Sequence, residues 1–229
     1  MKNSKNRKTM IENITLMKIY EPEEALKLLK ERSFVKFNET LEVAVNLGID
    51  SNKTEQNVKG VMNLPNGTGK QTNVAVICSE DKINDAKSND ADLVGGDDII
   101  QQVEKNDINF DILIATPDMM PKLGKVAKIL GPKGLMPNPK LGTVTNDIAT
   151  SVKNAKSGQI TFKNDKSGIV HAGIGKLNFK EEELIENLKY FYSSLVKSKP
   201  DTVKGSFIKK VTIASTMGIG LKINQSSLR

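Results

Sequence analysis

The spacing of apolar residues changes twice along this chain of 229 residues. Apolar and polar residues alternate over Leu41–Leu47, which is typical of a strand with one face in a core. Val74–Cys78 is apolar throughout, as in a strand that is covered on both faces. Alternation then returns at Ile160 and Phe162. This order predicts a middle segment inserted into a domain that is built from the two ends of the chain.

The expected domain boundaries are the glycine-rich breaks near Gly67 and Gly158. Residues 1–67 and 158–229 are predicted to form a discontinuous α+β domain, a split β-α-β sandwich. Residues 68–157 are predicted to form an inserted three-layer α/β domain of the Rossmann-like type, because short apolar runs alternate there with helical patterns. The two chain crossings between the domains would then act as a hinge.

A helix is predicted to begin near Glu21-Pro22, because proline suits the first helical turn, and an alternating strand begins at Thr40. Leu130–Thr143 contains three prolines and three glycines, which exclude regular structure. A short strand is expected at 58–64. Another strand begins with Ile160 and Phe162, and Ile169–Ile174 is expected to continue the same sheet. A helix at 180–197 and strands at 207–213 and 219–223 complete the end segments.

Positive charge is concentrated in the two end segments. The whole chain has a net charge of +7 and a pI near 9.3. Residues 68–157 contain 11 lysines and 12 acidic residues, whereas the end segments contain 23 basic and 15 acidic residues. A polyanion such as nucleic acid is therefore expected to bind the end segments first. Aromatic residues are only 4% of the chain, so shape and phosphate contacts should outweigh base stacking.

The chain has one cysteine, Cys78, and one histidine, His171. An intramolecular disulfide and a zinc site built from Cys and His ligands are therefore excluded, and no cofactor is expected. The basic start of the chain lacks the apolar segment of a signal peptide. No stretch reaches the roughly 20 apolar residues of a membrane span. We therefore expect a cytoplasmic protein without a membrane partner.

Three glycine motifs resemble nucleotide-binding sequences only in part. Gly67-Thr68-Gly69-Lys70 lacks the earlier glycine and the following Ser or Thr of a phosphate-binding loop, and it precedes a predicted strand. Gly173-Ile174-Gly175 and Gly218-Ile219-Gly220 lack the third glycine of a dinucleotide-binding fingerprint. His171 has no oriented partner or nucleophile at a spacing that suggests catalysis. The sequence therefore predicts no enzyme activity.

Three clusters in the end segments suit contact with the shallow minor groove of RNA, where 2′-hydroxyls offer donors and acceptors. They are residues 36–42, the turn with Lys163, Asp165 and Lys166, and Ser215–Gly218, where small hydroxyls, a glycine backbone and an apolar side chain occur together. The middle segment adds a basic patch beside the Pro/Gly loop, which consists of Lys122, Lys125, Lys128, Lys133 and Lys140. The alternative interpretation is that these are ordinary polar loops and a solvated face.

Several stretches are similar to those of one protein family. They are ILGPKGLMPNPKLGTVT at Ile129–Thr145, IATPDMM at Ile114–Met120 and STMG at Ser215–Gly218, together with LPNGTGK, FKNDKSGIVHAGIGK and KFNETLE. In collinear order over almost the whole chain, they resemble the universal large-subunit ribosomal protein L-one family in its bacterial form.

This resemblance implies the two-domain architecture expected above and a structural constituent of the large ribosomal subunit. It implies binding to the mobile stalk of large-subunit ribosomal RNA (rRNA) beside the exit site, where the protein would help to move and release deacylated tRNA. It also implies repression of translation of the protein's own operon, through an mRNA leader that imitates the ribosomal site. Off the ribosome, a monomer is expected.

Matching motifs also imply which residues contact RNA. The main surface would have Ser215, Thr216, Met217 and Gly218 at its centre, Lys36, Phe37, Thr40 and Glu42 beside them, and Lys163, Asp165, Lys166 and His171 at its flanks. Glu42 should set the register rather than add affinity, because a carboxylate accepts hydrogen bonds from RNA but repels phosphate. The basic patch would be a secondary RNA contact. Ile219 stands where the family usually shows proline, and Ala214 where serine is common.

Two other functions stay open at the level of sequence. The first is a nucleotide-using enzyme based on the middle domain, since folds of this type host many activities. The second is an architectural binder without a preference for RNA. Saturable binding of ATP or a dinucleotide would support the first, and equal binding of DNA and RNA would support the second.

Overall fold

The computed structural model describes residues 11, 14–15, 18–51, 53–79, 83, 86, 91–105 and 107–228, without the side chains of Thr54 and Lys140. Contacts divide the chain into two compact units, one of residues 1–70 and 160–229 and one of residues 71–159. Within the described ranges, no helix has the length and apolar character needed to cross a membrane.

Strands and helices follow one another along the described chain. The first stretch contains β1 (Ile19–Tyr20), α1 (Pro22–Glu31), β2 (Thr40–Leu47) and β3 (Lys59–Asn63). The middle stretch contains β4 (Val74–Ile77), β5 (Leu93–Gly95), α2 (Asp97–Glu104), β6 (Ile112–Ala115), α3 (Met120–Leu123), α4 (Ala127–Leu130) and α5 (Ile148–Lys156). The last stretch contains β7 (Gln159–Lys163), β8 (Ile169–Lys176), α6 (Glu181–Lys197), β9 (Ile208–Ser215) and β10 (Leu221–Ile223).

The first unit is organised around a five-stranded sheet with the order β1-β10-β9-β2-β8. β2 lies between β8 and β9 and is antiparallel to both. Its alternating sequence buries Leu41, Val43 and Val45 against the helical side, where α1 and α6 contribute Leu26 and Phe191 to the same core. The other side of the sheet is partly or fully exposed. We call it the open face, and it carries Glu42, Ala44, Asn46, His171, Thr212 and Ala214.

The two helices that cover this sheet begin with acidic residues, which suit the positive end of the helix dipole. In α1, Pro22 occupies the first helical position, as the sequence predicted. In α6, the Glu183 carboxylate accepts a hydrogen bond from the Lys180 backbone N–H at 3.0 Å. Both helices therefore have an N-terminus that their own sequence stabilises.

The second unit contains a three-stranded sheet with the order β5-β4-β6, in which β4 is parallel to both neighbours. All four residues of β4 are buried. Ala75 and Ile77 pack with α2, and Val74 and Val76 pack with α5. Apolar layers on both faces explain why this strand is apolar throughout. A parallel sheet here and a mostly antiparallel sheet in the first unit, where only the two-residue β1 is parallel to its neighbour β10, confirm the predicted mixture of α/β and α+β features.

One predicted strand pairing is wrong. Ile160 and Phe162 lie in β7, which pairs with β3 in a separate two-stranded sheet and not with β8. Only an isolated bridge between Asn164 and Val170 connects the two. Phe162 faces the core and packs edge-on against Phe191, with ring centroids 6.1 Å apart. The alternating pattern identified the strand but contained no information about its partner.

The turn at Gly67–Lys70 does not have the context of a phosphate-binding loop. Gly67 and Gly69 have φ angles of 66° and 67°, and the chain continues through non-helical residues into β4. A phosphate-binding loop must instead open a helix. The predicted mismatch with the nucleotide-binding motif is confirmed.

Candidate nucleic-acid interface

The loop after β9 forms a tight turn over Ser215–Gly218. The Gly218 N–H donates to the Ser215 carbonyl at 3.0 Å. A Cβ atom on Gly218 would lie 2.2 Å from Ser215 Oγ, so a larger residue would displace that hydroxyl. Thr216 and Met217 are exposed at the tip of the turn, and 52% of Met217 is accessible to solvent. The turn thus presents a hydroxyl and an apolar side chain next to each other.

The start of β2 holds this turn through Thr40. The Thr40 N–H donates to Thr216 Oγ1 at 3.0 Å, and the same hydroxyl donates to the Thr40 carbonyl at 3.3 Å. Lys176 Nζ donates to Thr40 Oγ1 at 2.9 Å from the neighbouring strand β8. Two predicted clusters that are 176 residues apart in sequence therefore form one surface.

Glu39 lies behind that surface, and the sequence-based site prediction did not include it. Its side chain is 3% exposed. One carboxylate oxygen accepts from Ser215 Oγ at 3.1 Å and from the Met217 N–H at 2.8 Å. The other accepts from Ser33 Oγ at 2.6 Å. Buried carboxylates need such donors, and the alternation 39, 41, 43 on the core side of β2 was a signal that could have identified this one.

Lys36 and Phe37 lie on the exposed loop between α1 and β2. Phe37 is 55% exposed, so its ring is accessible from solvent. Both residues line a polar pocket of about 500 Å³ together with Lys30, Ser33 and Glu39. Lys30 Nζ donates to the Phe179 carbonyl at 2.7 Å, which connects the end of α1 to the start of α6. The loop thus places one cation and one ring beside the Ser215–Gly218 turn.

Glu42 projects from the open face near the same end of β2. Its cross-strand partners are Gly173 on β8 and Ala214 on β9. Side chains of directly paired residues share one face of a sheet, so only small neighbours flank the carboxylate. It is exposed and sterically accessible to a ligand on this face.

Asp165 organises the turn between β7 and β8. One of its carboxylate oxygens accepts the N–H groups of Ile169 and Ser167, both at 2.8 Å. The bond from Ile169, the bond from Ser167 and the electrostatic effect of the nearby His171 lower the pKa of Asp165 below its usual value. His171 Nε2 lies 3.8 Å from the second carboxylate oxygen, and both side chains are well exposed. Asp165 thus has a structural role in the turn, while its proposed RNA contact stays a prediction.

The predicted RNA-binding residues form two groups on the first unit. Thr40 pairs with Lys176 at one end of β2, and Asn46 pairs with Ile169 at the other. Six residues at about 3.3 Å each separate these ends by about 20 Å. Lys36, Phe37, Thr40, Glu42 and the Ser215–Gly218 turn lie near the first end. The exposed Lys163, Asp165 and Lys166 lie near the second, and His171 lies on the open face between them, opposite Ala44.

Asn164 supports the second group and was also missed. Its side-chain oxygen accepts the Val58 N–H at 2.8 Å. Its amide group donates to Asn57 at 3.2 Å and to the Asp165 carbonyl at 3.0 Å. Asn164 is therefore a buried polar residue with all its main partners inside the protein. A single asparagine between two strands has no sequence pattern that would reveal this role.

The basic patch of the second unit consists of exposed lysines. Lys122 Nζ forms an ion pair with Asp97 at 2.9 Å, which offsets part of its charge. Lys125, Lys128 and Lys133 are exposed. The side chain of Lys140 lies outside the described residues. A secondary contact would therefore depend on the other lysines more than on Lys122.

A catalytic or metal-binding interpretation has little support in the geometry. In the ranges that the structure describes, no group of three or more His, Cys, Asp and Glu side chains could hold a metal ion. Among the described residues, the acidic side chain next to His171 is that of Asp165, in the loose contact described above on an exposed surface. Cys78 is buried within the core of the second unit, where a thiol packs as a small apolar group.

Known proteins resemble this chain over most of its length. Residues 29–219 match the model of a family described as the ribosomal protein L1p/L10e family. The chain is 53% identical over 210 residues to large ribosomal subunit protein uL1 of Rickettsia bellii (strain OSU 85-389), which covers 92% of this chain and 88% of that protein. It is 52% identical over the same length to the uL1 protein of Rickettsia conorii. The matched range contains all the RNA-contact residues predicted from sequence.

Proposed function

The chain belongs to the ribosomal protein L1p/L10e family, and from this premise we propose that its specific ligand is the mobile stalk of large-subunit rRNA beside the exit site. Family membership makes the chain a structural, rRNA-binding constituent of the large ribosomal subunit and not an enzyme. Its location is accordingly the ribosome in the cytoplasm. The stalk, as the particular RNA, is the proposal that the following observations support.

The single observation that carries the proposal is the hydrogen-bonded pair of Thr40 and Thr216. It joins the start of β2 to the Ser215–Gly218 turn and leaves Met217 and Phe37 exposed around it. A surface of hydroxyl groups, accessible backbone and two large apolar groups suits the shallow minor groove of RNA, where sugar hydroxyls and base edges are accessible. Such a preformed surface lowers the entropy cost of binding.

Charge supports the same assignment. The end segments carry the whole basic excess of the chain, with 23 basic and 15 acidic residues outside 68–157. Phosphate contacts by lysine release counterions, so affinity should fall steeply as salt rises. Glu42 lies on the open face of the same unit with no large neighbour across the strands. It would accept a hydrogen bond from a 2′-hydroxyl or a guanine amino group and so select the position of the RNA.

The finer consequences are part of the same proposal. The discontinuous domain expected from sequence, 1–67 and 158–229, would be the main RNA-binding domain, and the inserted domain, 68–157, would add a weaker basic contact. On the ribosome the protein would help exit-site tRNA to move and leave. Off the ribosome, as a monomer, it would repress its own operon by binding an mRNA leader that imitates the stalk.

The test compares Thr216→Val with the wild-type protein on a stalk RNA fragment and on random duplex RNA of equal length. Valine keeps the shape but removes both hydrogen bonds to Thr40. We expect stalk binding to weaken by about tenfold, since about 1.4 kcal/mol is lost, with duplex binding unchanged. Thr202→Val is the matched control, because Thr202 is exposed in the segment between α6 and β9, away from the Thr40–Thr216 contact. Wild-type protein that binds both RNAs equally at moderate salt would refute the proposal.

A further inference from the structure

A buried carboxylate connects three separate segments behind the proposed RNA surface. Glu39 belongs to the loop that enters β2, Ser33 follows α1, and Ser215 and Met217 belong to the turn after β9. All three donors to Glu39 lie within 3.1 Å of its carboxylate oxygens. We propose that Glu39 is the positioning residue of this surface, which holds the Ser215–Gly218 turn and the Lys36–Phe37 loop in the conformation that RNA recognises. The inference rests on the proposed function, because it concerns the residue that holds the RNA-binding surface in place.

The carboxylate acts on the turn at two positions. Its bond from the Met217 backbone N–H sets the direction of the chain at the tip, and its bond from Ser215 Oγ holds the residue at the base. Gly218 closes against the same hydroxyl. Thr216 lies between the two bonded residues, so its hydroxyl is directed at Thr40. The conformation of all four residues of the turn therefore depends on one side chain behind them.

The second carboxylate oxygen acts on the other half of the surface. Ser33 donates to it at 2.6 Å, which fastens the beginning of the loop that carries Lys36 and Phe37. The Glu39 carbonyl accepts the Leu177 N–H at 3.0 Å and fastens the end of that loop. Ser33, Lys36, Phe37 and Glu39 line the same pocket. The loop between them is thus anchored at both ends, with Glu39 at the junction.

Glu39 differs from the contact residues because it is almost entirely buried. Only 3% of the residue is exposed, whereas Phe37 and Met217 are each more than half exposed. It also differs from an ordinary core residue, because its partners are the RNA-facing segments. Replacing it should therefore change recognition by way of loop order and leave the sheet intact.

The choice of substitutions separates positioning from charge. In Glu39→Gln, the side-chain oxygen can still accept from Ser215 and Met217, and the amide can donate to Ser33, whose hydroxyl also accepts. All three bonds therefore persist without the negative charge. Glu39→Ala removes them all, and Glu39→Asp is one methylene too short to span both sides. Glu104→Ala, at the exposed last position of α2, removes the same charge in the second unit, outside the unit that carries the loops, and is the matched control.

The experiment measures amide hydrogen exchange and RNA binding on the full-length protein. We expect Glu39→Ala and Glu39→Asp to accelerate exchange at the Met217 amide by about tenfold or more and to weaken stalk RNA binding to a similar degree. Exchange at strand amides such as Val43, and binding of random duplex RNA, should not change. Glu39→Gln and Glu104→Ala should behave like the wild type in both measurements.

Each result supports or overturns the inference. Wild-type stalk affinity in Glu39→Ala overturns it, and so does unchanged exchange at Met217. A Glu39→Gln variant as defective as Glu39→Ala also overturns it, because the charge and not the hydrogen-bond geometry would then matter. Should Glu39→Ala not fold, Glu39→Asp provides the same comparison. If the wild type itself does not prefer stalk RNA, the proposed function fails, whereas the exchange data still show whether Glu39 orders the turn.

Discussion

Gly218→Ala perturbs the RNA-facing turn at a single defined contact. The new Cβ would lie 2.2 Å from Ser215 Oγ and 3.3 Å from Ser215 Cβ. The Oγ atom must therefore rotate away, which breaks its bond to the buried Glu39 carboxylate. The Gly218 backbone is not left-handed, so alanine has no φ penalty there.

The magnitude follows from two opposing effects. A hydrogen bond to a charged group contributes about 1.5–3 kcal/mol, whereas replacing glycine by alanine stabilises by about 0.4–1 kcal/mol through the unfolded chain. The expected loss is therefore about 1–2 kcal/mol in the free energy of unfolding. The Ser215→Ala variant already lacks the hydroxyl with which the new Cβ would clash. In that background Gly218→Ala should be neutral or slightly stabilising, so the two substitutions should not be additive.

Urea unfolding followed by tyrosine fluorescence measures this cycle. The chain has no tryptophan and three tyrosines, Tyr20, Tyr190 and Tyr192, and all of them belong to the first unit. The signal therefore reports on the unit that carries the turn. Additive losses in the double variant, within about 0.5 kcal/mol, would show that the clash with Ser215 Oγ is not the cause and would refute the reasoning.

Three further predictions concern other parts of the first unit. Asp165→Asn should destabilise the protein near neutral pH. The pKa of Asp165 is lowered in the folded state, so its carboxylate stabilises the protein above the unfolded pKa of about 3.9. This stabilisation is lost as pH falls through the folded pKa. In urea titrations, the difference in stability between wild type and variant should therefore be smaller at pH 3 than at pH 7. Asn187→Leu should cost about 2–4 kcal/mol in urea unfolding, because the buried amide donates to the Ile174 and Gly67 carbonyls at 2.8 and 3.0 Å; a loss below about 1 kcal/mol would contradict this role. Phe37→Ala should weaken stalk RNA binding several-fold in filter-binding assays without lowering the thermal midpoint, since the ring is 55% exposed; a lowered midpoint with unchanged affinity would mean that the ring packs rather than binds.

Local patterns predicted much of this protein because they reflect local physics. The alternation in Leu41–Leu47 identified both β2 and its buried face, since side chains in a strand point to opposite sides at every step. Pro22 identified the start of α1 through its fixed φ angle. β1, with two residues, was missed because so short a segment has no period. The pairing of β7 with β3 was predicted wrongly because a strand pattern does not specify a partner.

Sequence alone determined the two types of sheet, the segments that carry the positive charge and the turn residues that a binding surface needs. Tertiary structure decided which of them meet. Glu39 and Ser215 are 176 residues apart, and only the register of β2 against β9 places the buried carboxylate beneath that turn. Strand register depends on the packing of whole faces of a sheet, so no local stretch of the chain contains it.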